Sequence, residues 1–339
     1  MKKKLKLRTA NLALIMSSVT INPMKTKLIQ KPWFWGIAFV LPLWLFISFH
    51  NDLFGHWHKF WPVSLTMFFG AFMAGATSEG GGAFAFPVFT LILKISPYVA
   101  RDFSWMIQSV GMTCASLVLV MRKHPLFKAG LFSPLIGSFI STSFGYFLAN
   151  QFTPPTIKIF FVSLWLAFLF AYILILKKPQ TNSTHQDLAL IQWPLILTGL
   201  VGGIFSGLVG SGLDLFTFSV LVLYYKRDIK EATATSVILM ALNSLMSITG
   251  LWLFKGFSTQ SLWMWWAAIP VVAFMAPFGA WFVEKGQPRW VFALLAMSII
   301  VQFFAAFILL KLNSIHYLMS ACVIAISFSF FIALSRRKS

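Results

Sequence analysis

The chain has 339 residues, of which 58% are hydrophobic and only 10% are charged, a balance that excludes an ordinary soluble domain. Its 27 Lys and Arg outnumber its 8 Asp and Glu, but the basic residues are dispersed among short loops and the N-terminal tail. This distribution indicates the cytoplasmic bias of membrane proteins and excludes a nucleic-acid partner. The composition therefore predicts an all-α polytopic membrane protein whose partner is the lipid bilayer.

The N-terminal segment, residues 1–32, is basic and carries Lys2, Lys3, Lys4, Lys6 and Arg8. A short apolar run follows, as in a signal peptide, but no clear small-residue cleavage site comes after it. Met24 offers a second plausible start. We expect an uncleaved cytoplasmic tail, then a first transmembrane helix over residues 33–50.

Three histidines, His50, His56 and His58, cluster at the predicted external end of that helix and flank Trp57 and Trp61. Residues of these types are common at the membrane interface, so we expect no metal there. No metalloprotease helix, phosphate-binding loop or serine nucleophile motif occurs in the chain. The sequence therefore predicts no cofactor and no enzyme.

The middle of the chain is an internal repeat, because a shift of 132 positions superimposes residues 62–177 on residues 193–311. Glycines and phenylalanines both align, which a shared preference for membrane spans would not produce. After a two-residue slip, the later parts also align. The aligned pairs include Gly70 with Gly202, Gly75 with Gly207, Gly80 with Gly212, Phe84 with Phe216, Lys123 with Lys255 and Gly145 with Gly279.

Each repeat is predicted to contain a glycine-rich broken segment followed by three transmembrane helices. The broken segments cover residues 62–93 and 193–225, and each piece is shorter than the ~20 residues that cross a bilayer. We therefore expect two re-entrant hairpins, each with both ends on one face. The full spans are expected at residues 100–121, 129–149, 156–176, 233–254, 261–283 and 290–310, with a last helix and a basic cytoplasmic end over residues 315–339.

Charge decides the predicted orientation. If the hairpins return to their own side, most Lys and Arg residues fall on one face, which we expect to be the cytoplasmic face of an inner membrane. Both termini then lie in the cytoplasm. Three spans per repeat place the two repeats in opposite orientations, and such inverted repeats suit alternating access.

The two breaks form the predicted substrate site. Glycines expose backbone amides, and the start of the next half-helix carries partial positive charge, so a small anion is the expected substrate. Close helix packing through small residues is the structural alternative. The candidate residues are Gly80, Gly81, Gly82 and Ala83 at the first break, and Ser211, Gly212 and Leu213 at the second.

Glu79 and Asp214 stand at these breaks, at a depth where ionisable groups are costly and usually functional. No Lys or Arg is expected deep in a span, so neither acid has a predicted cationic partner. One interpretation is that at least one acid carries a proton coupled to substrate movement, and another is that they hold Na⁺ or a cationic substrate. The structural alternatives are capping of a half-helix by Asp214 and closure of the hairpin by Glu79.

Polar residues on neighbouring spans extend the predicted site. Thr235, Ser236 and Asn243 follow the second break, and Gln108 lies on the equivalent span of the first repeat. Ser236 and Asn243 are seven positions apart and so share a helical face. These side chains have hydrogen-bond donors for substrate oxygens, and interhelical hydrogen bonding is the alternative role.

Over residues 62–311 the sequence resembles the sulfite exporter TauE/SafE family. The resemblance rests on the paired glycine-rich breaks, on Pro87 after the first, and on Ala232 with Thr235-Ser236 after the second. Repeat two departs from the family pattern, because Leu213-Asp214 replace further glycines and Ser219 stands at the position equivalent to Pro87. The resemblance implies a transporter of sulfite, sulfonates or related sulfur compounds.

We therefore predict an inner-membrane transporter that moves a small anion by alternating access. A proton- or cation-coupled carrier of another small metabolite is the first alternative. A membrane-embedded enzyme, which would depend on the carboxyls of Glu79 and Asp214, is the second.

Overall fold

The computed structural model describes residues 36–50, 53–81, 84–85, 88–176 and 191–336. The predicted cytoplasmic tail lies outside the described residues, as do Gly82, Ala83 and Pro87 of the first break. Within the described ranges every regular element is helical. This confirms the predicted all-α fold class.

The six full spans predicted within the repeats coincide with α-helices to within four residues, whereas the described part of the first predicted helix, residues 33–50, is α-helical only from Leu41 onwards. Those of repeat one and its preceding helix are α1 (Leu41–His50), α2 (Trp57–Ala76), α3 (Pro97–Met121), α4 (Ala129–Leu148) and α5 (Pro154–Leu176). Those of repeat two and the last helix are α6 (Trp193–Val209), α7 (Leu213–Leu223), α8 (Ile229–Phe254), α9 (Thr259–Lys285), α10 (Pro288–Leu309) and α11 (Ser314–Arg336). In the described part of the chain, seven helices are long and apolar enough to cross a membrane, namely α3, α4, α5, α8, α9, α10 and α11.

Local sequence signals set several helix boundaries. Proline stands in the first turn of α3, α6 and α10, where its missing N–H is not needed for a helical hydrogen bond. Asp228 caps α8 by accepting from the Lys230 amide, and Ser258 caps α9 by accepting from the Ser261 amide.

Helices α6 and α7 fold back on each other as a hairpin. Gly210 and Gly212 have φ angles of +84° and +125° at the break, a region that favours glycine. At the open end, the Tyr225 hydroxyl donates to Gln192 Oε1 at 3.3 Å, so the end of α7 lies beside the start of α6. The hairpin thus enters and leaves on one side of the molecule.

At the first break, too, a glycine allows a close approach of two parts of the chain. A Cβ on Gly70 would lie 3.4 Å from both the Gly81 carbonyl oxygen and the Phe84 ring. At the equivalent position of repeat two, a Cβ on Gly202 would lie 2.9 Å from Cα of Leu213 and 3.4 Å from Cβ of Phe216. In each repeat, the absence of a side chain at this glycine therefore lets the helix before the break pack closely against the residues that follow the break.

The hairpin of each repeat packs against a helix of the other repeat. Helix α2 packs against α9, and α6 packs against α4. The backbones cross at glycines, because a Cβ on Gly75 would fall 2.9 Å from the Ala276 carbonyl carbon. A Cβ on Gly207 would fall 2.5 Å from the Tyr146 amide nitrogen. Since Gly75 and Gly207 are aligned in the repeat, the two crossings use equivalent positions.

Equivalent helices of the two repeats run in opposite directions. Near the start of α3, Asp102 Oδ2 lies 3.5 Å from Nζ of Lys255, which follows the end of α8. At the other end, the Phe127 amide, after α3, donates to Thr235 Oγ1 near the start of α8 at 3.1 Å. Helices α5 and α10 are antiparallel as well, because Tyr172 near the end of α5 packs against Phe292 near the start of α10.

Large apolar side chains cover the outside of the bundle. Ile140 on α4, Phe254 on α8 and Ile308 on α10 are 72%, 90% and 78% exposed. Exposure of this extent is unfavourable in water and expected of a surface that faces lipid.

Candidate substrate site at the two hairpin tips

The tips of the two hairpins meet inside the molecule. We define the first tip as residues 77–81 and the second tip as residues 209–214. A Cβ on Gly80 would lie 2.5 Å from Gln108 Oε1, 2.9 Å from Asp214 Oδ2 and 3.3 Å from Cβ of Ser211. The two tips and α3, which carries Gln108, therefore surround one point.

Helix α3 holds the second tip in place. The Ser104 hydroxyl donates to the Gly210 carbonyl at 2.9 Å, and the Gln108 side-chain amide donates to the same oxygen at 2.8 Å. These bonds satisfy a carbonyl that the break would otherwise leave unpaired. Gln108 thus links the middle of α3 to the second tip.

Asp214 has two differently placed carboxyl oxygens. Its Oδ1 accepts from the Gly212 amide at 3.1 Å and from the Leu215 amide at 3.0 Å, which caps the first turn of α7. Its Oδ2 faces Gly80 and has no hydrogen-bond partner among the described residues. Capping therefore accounts for only one of the two oxygens.

Four buried polar atoms at the tips lack a partner among the described residues: Ser78 Oγ, Gln108 Oε1, Ser211 Oγ and Asp214 Oδ2. Each residue is at most 2% exposed. Buried polar groups are normally hydrogen-bonded, so these atoms are available to bind a ligand or water. The adjoining cavity beside Gly81 is only about 10 Å³, room for roughly one water. The tips are closed in this conformation.

Glu79, in the first tip, faces a different set of residues. The Ser298 hydroxyl and the Gln302 side-chain amide, both on α10, donate to its carboxylate. Lys158 Nζ, on α5, donates to Gln302 Oε1 at 3.3 Å. Lys158 is only 4% exposed and interacts electrostatically with Glu79. Glu79 therefore has a cationic neighbour.

The expectation that neither acid has a cationic partner is thus wrong for Glu79. Lys158 lies in the second turn of α5, and packing of α5 against α10 carries its long side chain inward. Arg101, in the second turn of α3, is 2% exposed. Its guanidinium pairs with Asp102 at 2.9 Å and stacks 3.8 Å from the centre of the Tyr146 ring. Partner side chains stabilise both buried cations.

Comparison with known families gives the arrangement a context. A family model described as sulfite exporter TauE/SafE matches residues 64–303. The chain belongs to the TauE/SafE sulfite exporter family. No curated protein and no solved structure matched the chain in the corresponding searches. As a TauE/SafE protein with seven helices in its described part that are long and apolar enough to cross a membrane, the chain is a multi-pass membrane transporter.

Two other predicted site residues of this TauE/SafE protein connect α8 to other parts of the chain. Thr235 donates to the Glu231 carbonyl at 2.7 Å and accepts from the Phe127 amide. Asn243 donates to Ser206 Oγ at 2.8 Å, which connects α8 to α6. Their described contacts correspond to the interhelical alternative. Ser236 Oγ is buried without a described partner, and Gly82 and Ala83 lie outside the described residues.

A larger cavity, about 370 Å³, lies between α4 and α8, away from the tips. Its lining includes Tyr146, Phe254 and Lys255, and none of its lining residues belongs to either hairpin. The pKa of Lys255 is raised, chiefly by its hydrogen bond with Tyr146, so its amine remains charged at the mouth of this groove. None of the residues that line this cavity belongs to either tip.

The sequence interpretation missed the three residues around Glu79, namely Lys158, Ser298 and Gln302. Ser298 and Gln302 are four positions apart on an otherwise apolar helix, so they share one face of α10. Two polar residues at this spacing, within a predicted span, are the signal that could have identified them.

Proposed function

We propose that this TauE/SafE protein carries sulfite or a small sulfonate across the membrane, with the anion bound where the two hairpin tips meet. The approach of two buried oxygens without a described partner, Gln108 Oε1 and Asp214 Oδ2, to Gly80 of the first tip is the observation that supports this most. Broken helices that meet in this way form the substrate sites of many transporters.

The chemistry of the tips suits an oxyanion. The N-terminus of α7 follows the second tip and contributes partial positive charge. The hydroxyls of Ser78 and Ser211 have no partner among the described residues and can donate to substrate oxygens. Gly80 and Gly81 carry no side chain that would block their backbone amides.

We further propose that access alternates between the two faces. Ser78, Glu79, Ser211 and Asp214 are at most 1% exposed, so a substrate reaches the tips only if the packing around them opens. The antiparallel packing of α3 with α8 supports an inverted relation between the repeats. Each hairpin then opens to a different face. Movement of one hairpin, together with the helix that it packs against, relative to the other hairpin exposes the site to each face in turn.

A flux screen with the purified protein in liposomes tests this proposal. Labelled sulfite, sulfoacetate, taurine and sulfate are each loaded on one side, and downhill flux is compared with that in protein-free liposomes. We expect protein-dependent flux of sulfite or a sulfonate that unlabelled substrate inhibits. Flux equal to that of protein-free liposomes for all four compounds would refute the proposed function.

A further inference from the structure

We propose that the tips also bind a monovalent cation, a proton or Na⁺, between Asp214 Oδ2 and Gln108 Oε1, and that this cation crosses the membrane together with the anion. The second part of this inference, that the cation moves together with the anion, rests on the proposed anion transport. The cation site itself rests on the geometry of the tips.

The orientation of the Gln108 amide follows from its partners. Its nitrogen Nε2 donates to two carbonyl oxygens, that of Ser104 at 2.9 Å and that of Gly210 at 2.8 Å. Carbonyl oxygens only accept, so the nitrogen must face them. The amide oxygen Oε1 must then face Gly80, where it is buried without a described partner.

Two acceptor oxygens therefore converge on the same point. Gln108 Oε1 and Asp214 Oδ2 would lie 2.5 Å and 2.9 Å from a Cβ on Gly80. Neither an amide oxygen nor an ionised carboxylate carries a hydrogen, so the two cannot bond to each other. A proton on Asp214, or a small cation between the two oxygens, satisfies both. Ser211, whose Cβ lies 3.3 Å from the same Cβ position, adds a hydroxyl oxygen, and oxygen is the ligand type that hard cations prefer.

The charged groups near Asp214 interact with other partners. Glu79 accepts from Ser298 and Gln302 and has Lys158 as its cationic neighbour. The Arg101 guanidinium on α3 is held by Asp102 and Tyr146. Among the described ionisable groups, the charge that acts on Asp214 is that of Glu79, which has the same sign.

This charge arrangement couples the two ligands. An anion that binds beside an uncompensated carboxylate is repelled, and the repulsion is strong where water is excluded. A cation on Asp214 removes that repulsion, so the cation and the anion favour each other's binding. Because both ligands bind at the same pair of tips, alternating access moves them in the same direction.

Proteoliposomes containing the full chain and labelled substrate test the coupling at zero membrane potential. One arm imposes a pH gradient, and the other imposes a Na⁺ gradient against choline. We expect one of the two gradients to drive substrate accumulation. Asp214→Asn, which keeps an oxygen to cap α7, should lose at least ~5-fold of this accumulation, the scale of typical coupling energies. Asp228→Asn alters a helix cap outside the tips and should retain it.

A second variant and a binding measurement make the test independent of the chosen substrate. Ser211→Ala removes one oxygen and leaves the cap intact, so it should raise the cation concentration required for half-maximal flux. The unfolding midpoint of detergent-solubilised protein is measured in NaCl against choline chloride, and across pH. We expect the coupling cation to raise the midpoint of the wild type and to have a smaller effect in Asp214→Asn.

Two results would overturn the cation site: downhill anion flux that neither gradient can drive uphill, or unchanged cation dependence in Asp214→Asn. Absence of any sulfur-anion flux would count against the proposed function alone. In that case the cation site stands if the midpoint shift depends on Asp214, and it falls if the shift is absent.

Discussion

Gly80 of the first tip packs directly against Asp214 of the second tip, so that a Cβ on Gly80 would lie 2.9 Å from the unpaired carboxyl oxygen. This contact joins the two repeats at the breaks that the sequence alignment pairs. It also brings an ionisable group within reach of the exposed backbone of the first tip. The closed arrangement of the tips therefore depends on the absence of a side chain at position 80.

Gly80→Ala should impair transport while leaving the protein folded. Its methyl group would lie 2.5 Å from Gln108 Oε1 and 2.9 Å from Asp214 Oδ2, so both side-chain ends must shift. Overpacking of ~1–3 kcal/mol disfavours the closed state by roughly 5- to 160-fold. We expect a similar loss of substrate flux in liposomes. Gly250→Ala on α8, where a Cβ would meet nothing within 4 Å, is the matched control. Equal flux from the two variants would show that the tips do not need to close around Gly80.

Lys158 and Glu79 should be energetically coupled. Lys158→Met leaves the Glu79 carboxylate buried without its cation, which should lower the free energy of unfolding by about 3–5 kcal/mol. The double variant Lys158→Met with Glu79→Gln should recover much of that loss, because no uncompensated charge remains. Denaturant unfolding in detergent measures the free energy of unfolding of the wild type, of Lys158→Met and of the double variant.

Lys285→Met provides the comparison for that pair. Lys285 lies 3.6 Å from Glu284, with its side chain 61% exposed, so its removal should cost at most ~1 kcal/mol. If Lys158→Met is no more destabilising than Lys285→Met, Lys158 does not stabilise Glu79.

The helices and their close crossings could be predicted from local sequence. Apolar stretches of sufficient length predict the spans, and the alignment of Gly75 with Gly207 predicts equivalent backbone contacts. The apolar stretches are local features, and the glycine alignment appears at a shift of 132 positions. Both can therefore be recognised without knowing which helices are in contact. The two breaks were recognisable for the same reason.

The partners of Glu79 could not be predicted in this way. Ser298 and Gln302 are 219 and 223 positions away along the chain, and they contact Glu79 only because α10 packs beside the first tip. Lys158 lies near a helix end, where a long side chain can reach water or turn inward. Tertiary packing decides between these directions, and sequence position does not.

Lys123 and Lys255 should lie on opposite faces of the membrane. They follow α3 and α8, which are equivalent in the repeat and antiparallel in the structure, and both side chains are exposed. Single cysteines at these positions, in a protein whose Cys114 and Cys322 have been replaced, should react with an impermeant thiol reagent from different sides of intact cells. Labelling of both from the same side would contradict the inverted orientation.

Cysteine labelling at Ser211 tests the central claim, that the meeting tips form a substrate site opened to each face in turn. Ser211 is fully buried in the closed conformation, so Ser211→Cys reacts only when the tips open. In oriented vesicles we predict slow modification by an impermeant reagent from either face, and protection from it by a transported sulfonate. Modification from one face only, or a rate that saturating substrate leaves unchanged, would contradict the account.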